Sequence, residues 1–423
     1  MENANPQSKA AHSWLRWVLL PIIAYVSLLV SVVAVVGVAI SPDGMREREL
    51  ASLLPQVDWL PWRYLPLAAE TVAEAHSELN YLVYEYLLAL ILVVADDYWL
   101  LAHGIVNALL LGGTLALGAF VLLRAGVSRL ALGIFWCLAF SGWHLMQWAF
   151  VTQSEPLYTL EVAAIVLVAA AALGRNDGHR PWREVAILVA LAVLCFFTRP
   201  TSPPVVSVAL WLAVVSLVVM PGAPESRVGR YRWTLAVLGA GLIGVLLLGT
   251  MVLADPTLLP EGSTLRRVYL ELYTPHANQG QVVWVRPETF VEPGSGYGQA
   301  LSVSVWRLPM FFWFRAEGYS QTHNLINSVF YPILYLFTLL GLWAGLSPRS
   351  GLPLAARAVV WAGLPLILAI DVFHAFTLLD FNWRYRTPTY PAVYPIAAIG
   401  AAWGIEAWRA RQGVGKHSSA RPK

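Results

Sequence analysis

The chain has 423 residues, of which 58% are hydrophobic and only 13% charged. A soluble globular chain is about half apolar and about a quarter charged, so this composition excludes an ordinary soluble domain. The formal net charge of +3 is small and gives no sign of a nucleic-acid partner.

Runs near 20 apolar residues mark about ten membrane-spanning helices. They fall at about 17–40, 99–122, 130–150, 157–174, 184–198, 204–220, 233–253, 325–345, 357–378 and 391–408. The chain therefore reads as an all-α polytopic membrane protein, with a single transmembrane domain over 1–423. The first run is too long for a signal-peptide core, and no small-residue cleavage site follows it, so it reads as a retained helix. Two long loops separate the spans, about 41–98 and 254–324. The second carries Pro293-Gly294-Ser295-Gly296-Tyr297-Gly298 and the aromatic cluster Phe311-Phe312-Trp313-Phe314, which is expected at the membrane interface.

The run 79–95 is ambiguous, since it contains Glu85 and three tyrosines and ends in Asp96-Asp97. The positive-inside rule decides its expected placement. If it does not cross, the cytoplasmic segments hold 17 of the 28 Lys+Arg, including every lysine, and only 5 of the 25 Asp+Glu. If it crossed, the arginine-rich short loops would face outside. It therefore reads as a helix lying at the outer interface.

Ionisable residues near the outer span ends are the candidates for chemistry. Asp43, in Ser41-Pro42-Asp43-Gly44, follows the first span; its carboxylate suits a general base, or a helix-capping acid in an Asp-Gly turn. Glu155 lies in the turn Gln153-Ser154-Glu155-Pro156, as a second acid or as a helix N-terminal acid favoured by the dipole. Glu161 lies farther along that span and needs a partner or a wet cavity. Arg199-Pro200 follows the fifth span. Asp371 and His374, three apart, share a helix face near the end of the ninth. The stretch Leu379 to Pro391 then holds Asn382, Arg384, Tyr385 and Arg386 between two apolar runs. Arginine forks bind phosphate oxygens in a bidentate manner, so Arg384, Arg386 and Arg199 at one level suit an anionic group. They also suit plain interfacial anchoring. No Walker loop, dinucleotide glycine fingerprint, zinc spacing or serine-hydrolase elbow occurs.

Taken in order, these pieces resemble the GT-C superfamily of membrane glycosyltransferases. The resemblance is to the branch with the protein O-mannosyltransferases and the lipid A aminoarabinose transferase. It rests on Asp43 after the first span and on the tyrosine- and leucine-rich run 79–90. Val106-Asn107-Ala108-Leu109-Leu110, Ser154-Glu155-Pro156-Leu157 and Thr198-Arg199-Pro200-Thr201 carry it further. Arg384-Tyr385-Arg386-Thr387-Pro388 with Pro391 completes it. The chain departs from the family in having Gly44 and Met45 where a second acid or a tyrosine often follows the first Asp. His103 stands near the place where an arginine often opens the second span, and a large soluble C-terminal domain is lacking.

The resemblance implies transfer of a sugar from a polyprenyl-phosphate donor to a lipid, glycan or protein acceptor on the external face of a bacterial inner membrane. It gives the acid-base role to Asp43, with Glu155 as the next candidate. It gives the phosphate to Arg384 and Arg386, with Arg199 and Tyr385 assisting and Asp371, His374, His103 and Asn382 in support. No soluble cofactor is required, and a divalent cation between Asp43 and Glu155 fits the same chemistry. Two other readings share outer arginines: a transporter or flippase of a lipid-linked sugar, and an O-antigen polymerase or ligase. A transporter should have midplane polar residues and paired broken helices, which the sequence does not display clearly.

Overall fold

The computed structural model describes residues 15–71, 78–175, 179–219, 224–261, 266, 296–315, 320–377 and 383–412. Most of the expected second loop, about 262–295, and Asn382 lie outside these residues, as does the side chain of Arg384.

The described residues are almost entirely helical. The helices are α1 (Leu20–Val36), α2 (Pro42–Ala51), α3 (Pro61–Thr71), α4 (Glu78–Ala95), α5 (Trp99–Arg124), α6 (Arg129–Ser141) and α7 (Glu155–Leu173). After them come α8 (Trp182–Phe196), α9 (Pro203–Val219), α10 (Pro224–Ala254), α11 (Tyr297–Phe311), α12 (Gln321–Leu346), α13 (Leu354–Thr377) and α14 (Tyr390–Arg411). Among the described residues, six segments are long and apolar enough to cross a membrane, one of them the run Asn80–Arg124 that takes in α4 and α5, or seven if the bent pair Arg129–Ser141 and Trp143–Phe150 counts as one. The chain is an all-α polytopic membrane protein on this ground. The expected spans at 184–198 and 204–220 are helices of only 15 and 17 residues, α8 and α9.

Lipid and core sort the helices by burial. In α13, 83% of the most apolar 18-residue window is buried, against 11% in α10 and 22% in α1. So α13 forms the centre of the bundle, while α10 and α1 present Ile243, Leu248 and Val35 outward. Outward apolar residues are what a hydrocarbon solvent selects. At the centre, α13 lies against α14, whose residues from Tyr390 to Ala402 are all buried. A side chain on Gly400 would overlap the backbone of Phe337 and Gly341, so its absence lets α14 and α12 touch backbone to backbone.

The chain after α1 departs from the sequence reading. The first helix ends at Val36, not near 40, because Gly37 takes φ +84° and its N–H returns to the Val33 carbonyl. The next residues form an extended strap. Ala39 pairs in parallel with Val151, through Ala39 N–H to Phe150 O at 2.8 Å and Thr152 N–H to Ala39 O at 3.1 Å. Ser41 then caps α2, accepting from Gly44 N–H at 2.8 Å and donating to the Thr152 carbonyl at 2.8 Å. Asp43 therefore sits in the first turn of a capped helix pinned to the segment before Glu155.

Gly44 is required at this junction. A Cβ there would overlap Thr152 Oγ1 and come within 2.6 Å of the Thr152 carbonyl oxygen. Gly44→Ala should push α2 off the 150–153 strap and cost about 1–3 kcal/mol, the usual range for overpacking. A lowered melting temperature in detergent checks this, and an unchanged one would mean that the strap yields freely.

Helices α2, α3 and α4 share a second, smaller core with the start of α5, built on Leu50, Leu54, Tyr64, Tyr84, Leu88 and Trp99. Between α4 and α5, Asp96 takes φ +45°, which is rare for a residue with a side chain.

Candidate functional site

The strap, the N-terminus of α7 and the C-terminus of α8 converge at one end of the bundle. Glu155 opens α7, in its first turn, where the helix dipole favours a carboxylate. It is 1% exposed and pairs with Arg199 through Nη2 at 2.8 Å. The Gln153 amide, turned so that its nitrogen faces the carboxylate, donates to both Glu155 oxygens at 3.0 Å. Arg199 also donates from Nε to Thr201 Oγ1 at 2.9 Å and from Nη1 to Ser154 Oγ at 3.4 Å. A buried ion pair of this quality needs its remaining donors satisfied, and here they are. Glu161, one helical segment inward, accepts from the Thr198 hydroxyl at 2.7 Å.

A residue that the sequence reading passed over completes the cluster. Glu47 lies four residues after Asp43 on α2 and is 2% exposed. Burial pushes its carboxyl well above the usual carboxylate range, and the neighbouring Asp43 and Glu155 charges push it the same way. Arg46 and Arg199 act in the opposite sense. One Glu47 oxygen, Oε2, has no hydrogen-bond partner. The sequence signal was the i, i+4 spacing from Asp43, which puts both on one helix face. The run Arg46-Glu47-Arg48-Glu49 masked it by resembling a solvated charged helix.

His103 and Asn107 brace the floor of this end. The Tyr84 hydroxyl and His103 Nε2 share a hydrogen bond of 2.9 Å. Asn107 Nδ2 lies 3.3 Å from His103 Nδ1 and donates to the Trp148 carbonyl at 3.0 Å. An amide nitrogen only donates, so Nδ1 accepts and Nε2 holds the proton given to Tyr84. His103 thus ties α5 to α4, and Asn107 ties α5 to the Trp148 and Val151 carbonyls.

The 383–389 turn reaches the site through one of its residues. Tyr385, His374 and Arg199 line a small cavity of about 10 Å³ with Tyr158, Thr201 and Pro388. The His374 ring lies 4.9 Å from that of Tyr385 and stacks at 5.7 Å on Phe311. His374 thus packs between Tyr385 of the turn and Phe311 of α11. Asp371 is buried on the helix of His374, one turn earlier. Trp148 Nε1 donates to Thr387 Oγ1 at 3.1 Å and locks the turn to the short helix Gln147–Phe150.

Arg386 faces a different setting. It is 2% exposed and packs 4.1 Å above the Tyr331 ring. Its Nε donates to the Tyr390 hydroxyl at 3.2 Å, and its Nη1 donates to the Trp313 carbonyl at 2.8 Å and to the Tyr335 hydroxyl at 3.1 Å. The structure brings Asp43, Glu47, Glu155, Arg199, Tyr385 and His374 together, while Arg386 holds a tyrosine nest beside them. The aromatic cluster expected at the interface takes part in both, through Phe311 on His374 and Trp313 on Arg386. Among the described residues, no group of three or more His, Cys, Asp or Glu is arranged to hold a metal ion.

Comparison with known proteins adds nothing to this geometry: no family model, curated protein or solved structure matches the chain.

Proposed function

We propose that the chain is a membrane glycosyltransferase that moves a sugar from a polyprenyl-phosphate donor to an acceptor hydroxyl. The observation that carries this reading is the cluster of three acids and one arginine at a single end of a membrane-spanning bundle. Acid-base work and anion binding are then available side by side, next to helices that contact lipid.

In this reading Asp43 is the general base. It takes the acceptor's hydroxyl proton as the acceptor oxygen attacks the anomeric carbon. The bond from that carbon to the phosphate oxygen breaks, and its electron pair leaves on the lipid phosphate. Arg199, held by Glu155 and Thr201, exchanges its longest contact, the 3.4 Å one to Ser154 Oγ, for a phosphate oxygen. The Tyr385 turn adjoins the same place, and Arg384 is the residue before Tyr385 in that turn. Arg386 contributes a fixed positive charge from its nest rather than a free fork. The finer topology belongs to the proposal too: ten spans, α4 at the outer interface, and the acid cluster facing outside a bacterial inner membrane.

The direct test is turnover. The purified chain, in vesicles carrying a polyprenyl-phosphate sugar, should release free polyprenyl phosphate when an acceptor is supplied. Failure with every donor sugar and acceptor class would remove the glycosyltransferase reading.

Glu47 has a separate role in the scheme. In its protonated form, which burial favours, it donates a hydrogen bond from the partnerless side to a sugar or acceptor oxygen. Its raised pKa also sets a sign for stability. The folded state holds the proton over a pH range in which the unfolded chain has lost it. Stability from Glu47 is thus full below the ordinary value of 4.5 and is lost as pH rises through the raised one. Glu47→Gln, permanently neutral, should flatten the loss of melting temperature above pH 4.5. A wild-type melting curve that improves steadily with pH and ignores this substitution would contradict the assignment.

A further inference from the structure

A second cavity lies at the opposite end of the bundle. Helix α7 spans 19 residues from Glu155 to Leu173, so its ends stand about 28 Å apart at 1.5 Å per residue. Beyond its far end, a cleft of about 320 Å³ opens between α5, α7 and α13. Val121, Leu167, Ala171 and Val359 form apolar walls. Arg124, Arg175 and Glu184 supply its charged lining. The short side chains of Ala170, Gly174 and Ala355 leave the space open.

We propose that this cleft binds an anionic membrane phospholipid, with its phosphate at the arginines and part of an acyl chain along the apolar wall. The charge count favours an anion: two guanidinium groups face one carboxylate, which leaves one net positive charge. Arg175 is held in place from both sides. Its Nη1 donates to both Glu184 oxygens at 3.0 and 3.1 Å, and its carbonyl accepts from Arg227 Nη1 at 2.5 Å. Arg124 is exposed at the end of α5, so its side chain is accessible from the membrane surface.

The shape favours a lipid over a free anion. Leu167 lies eight residues before Arg175, which at 1.5 Å per residue gives an apolar depth on the order of 10 Å. A free phosphate would leave that depth filled by water against apolar walls, while an acyl segment fills it favourably. The location suits the same occupant, because the cleft sits where a helix bundle meets a headgroup layer that attracts arginine. This inference needs the membrane setting of the chain and does not depend on the glycosyltransferase reading.

The test is native mass spectrometry of the full chain released from nanodiscs of equal phosphatidylglycerol and phosphatidylcholine. Wild type should retain phosphatidylglycerol over phosphatidylcholine by about fivefold, the preference that one surface arginine supplies. Arg124→Gln, at an exposed position that does not threaten folding, should bring the ratio close to one. Ala171→Phe should fill the apolar part and remove the retained lipid although both arginines remain. Millimolar inorganic phosphate should leave the lipid bound. Equal retention of the two lipids by wild type, or an unchanged ratio in Arg124→Gln, overturns the proposal. Displacement by inorganic phosphate overturns it as well, in favour of a free-anion site. If Ala171→Phe does not fold, Arg124→Gln and the phosphate competition still decide the matter.

Discussion

Asp43→Asn is expected to lower sugar transfer by roughly a hundredfold or more, the usual scale for removal of a general base. The substitution keeps the shape of the side chain and changes only its ability to accept a proton. The cap of α2 and the strap do not depend on that ability. Helix α2 is capped by Ser41 rather than by Asp43, and the Ala39–Val151 pairing fixes the strap before it. The replacement amide should therefore occupy the same half-buried place as the native carboxylate. Melting temperature and donor binding should stay near wild type, while turnover falls. Near-normal turnover would move the base role to another acid of the cluster, with Glu155 next in line. An equal loss of folding and turnover would make Asp43 a structural residue.

Arg199→Ala should have the largest effect on stability. Both members of its ion pair are deeply buried, with side-chain exposures of 6% for Arg199 and 1% for Glu155. Removal of the guanidinium leaves a buried carboxylate with Gln153 as its remaining donor. Loss of one partner from such a pair costs roughly 3–5 kcal/mol. Arg199→Lys keeps a charge but replaces three directed donor contacts by a point charge, so it should recover only part of that cost. The double variant Arg199→Ala with Glu155→Gln removes both charges and should be more stable than Arg199→Ala alone. Wild type, Arg199→Ala, Glu155→Gln and the double variant form a double-mutant cycle whose four melting temperatures isolate the pair. Additive effects in that cycle would mean that the contact carries no energy of its own.

The apolar runs made the helical membrane architecture legible, because length and hydropathy are local properties of sequence. The pairing of Arg199 with Glu155 was partly legible: both were singled out at span ends, though not as partners. Non-local contacts were what the sequence concealed. The Ala39–Val151 bridge joins residues 112 positions apart and has no periodic signature. Glu47 looked solvated because its own helix is polar, yet the face that it shares with Asp43 is covered by α4 and by the Glu155 turn. The nest around Arg386 is equally non-local: its guanidinium meets the Trp313 carbonyl and the Tyr335 hydroxyl, 73 and 51 positions away. The helix end at Val36 rested on one positive φ at Gly37, which hydropathy does not report.

The most direct measurement is photocrosslinking with a polyprenyl phosphate that carries a photoreactive group next to the phosphate, mapped by peptide mass spectrometry. The account predicts label on the segments around Tyr158, Arg199 and Tyr385, and loss of that label in Arg199→Lys protein that remains folded. Label confined to the Arg124–Arg175 end, or scattered over the lipid-facing surfaces of α1 and α10, would contradict a lipid-phosphate site at the acid cluster.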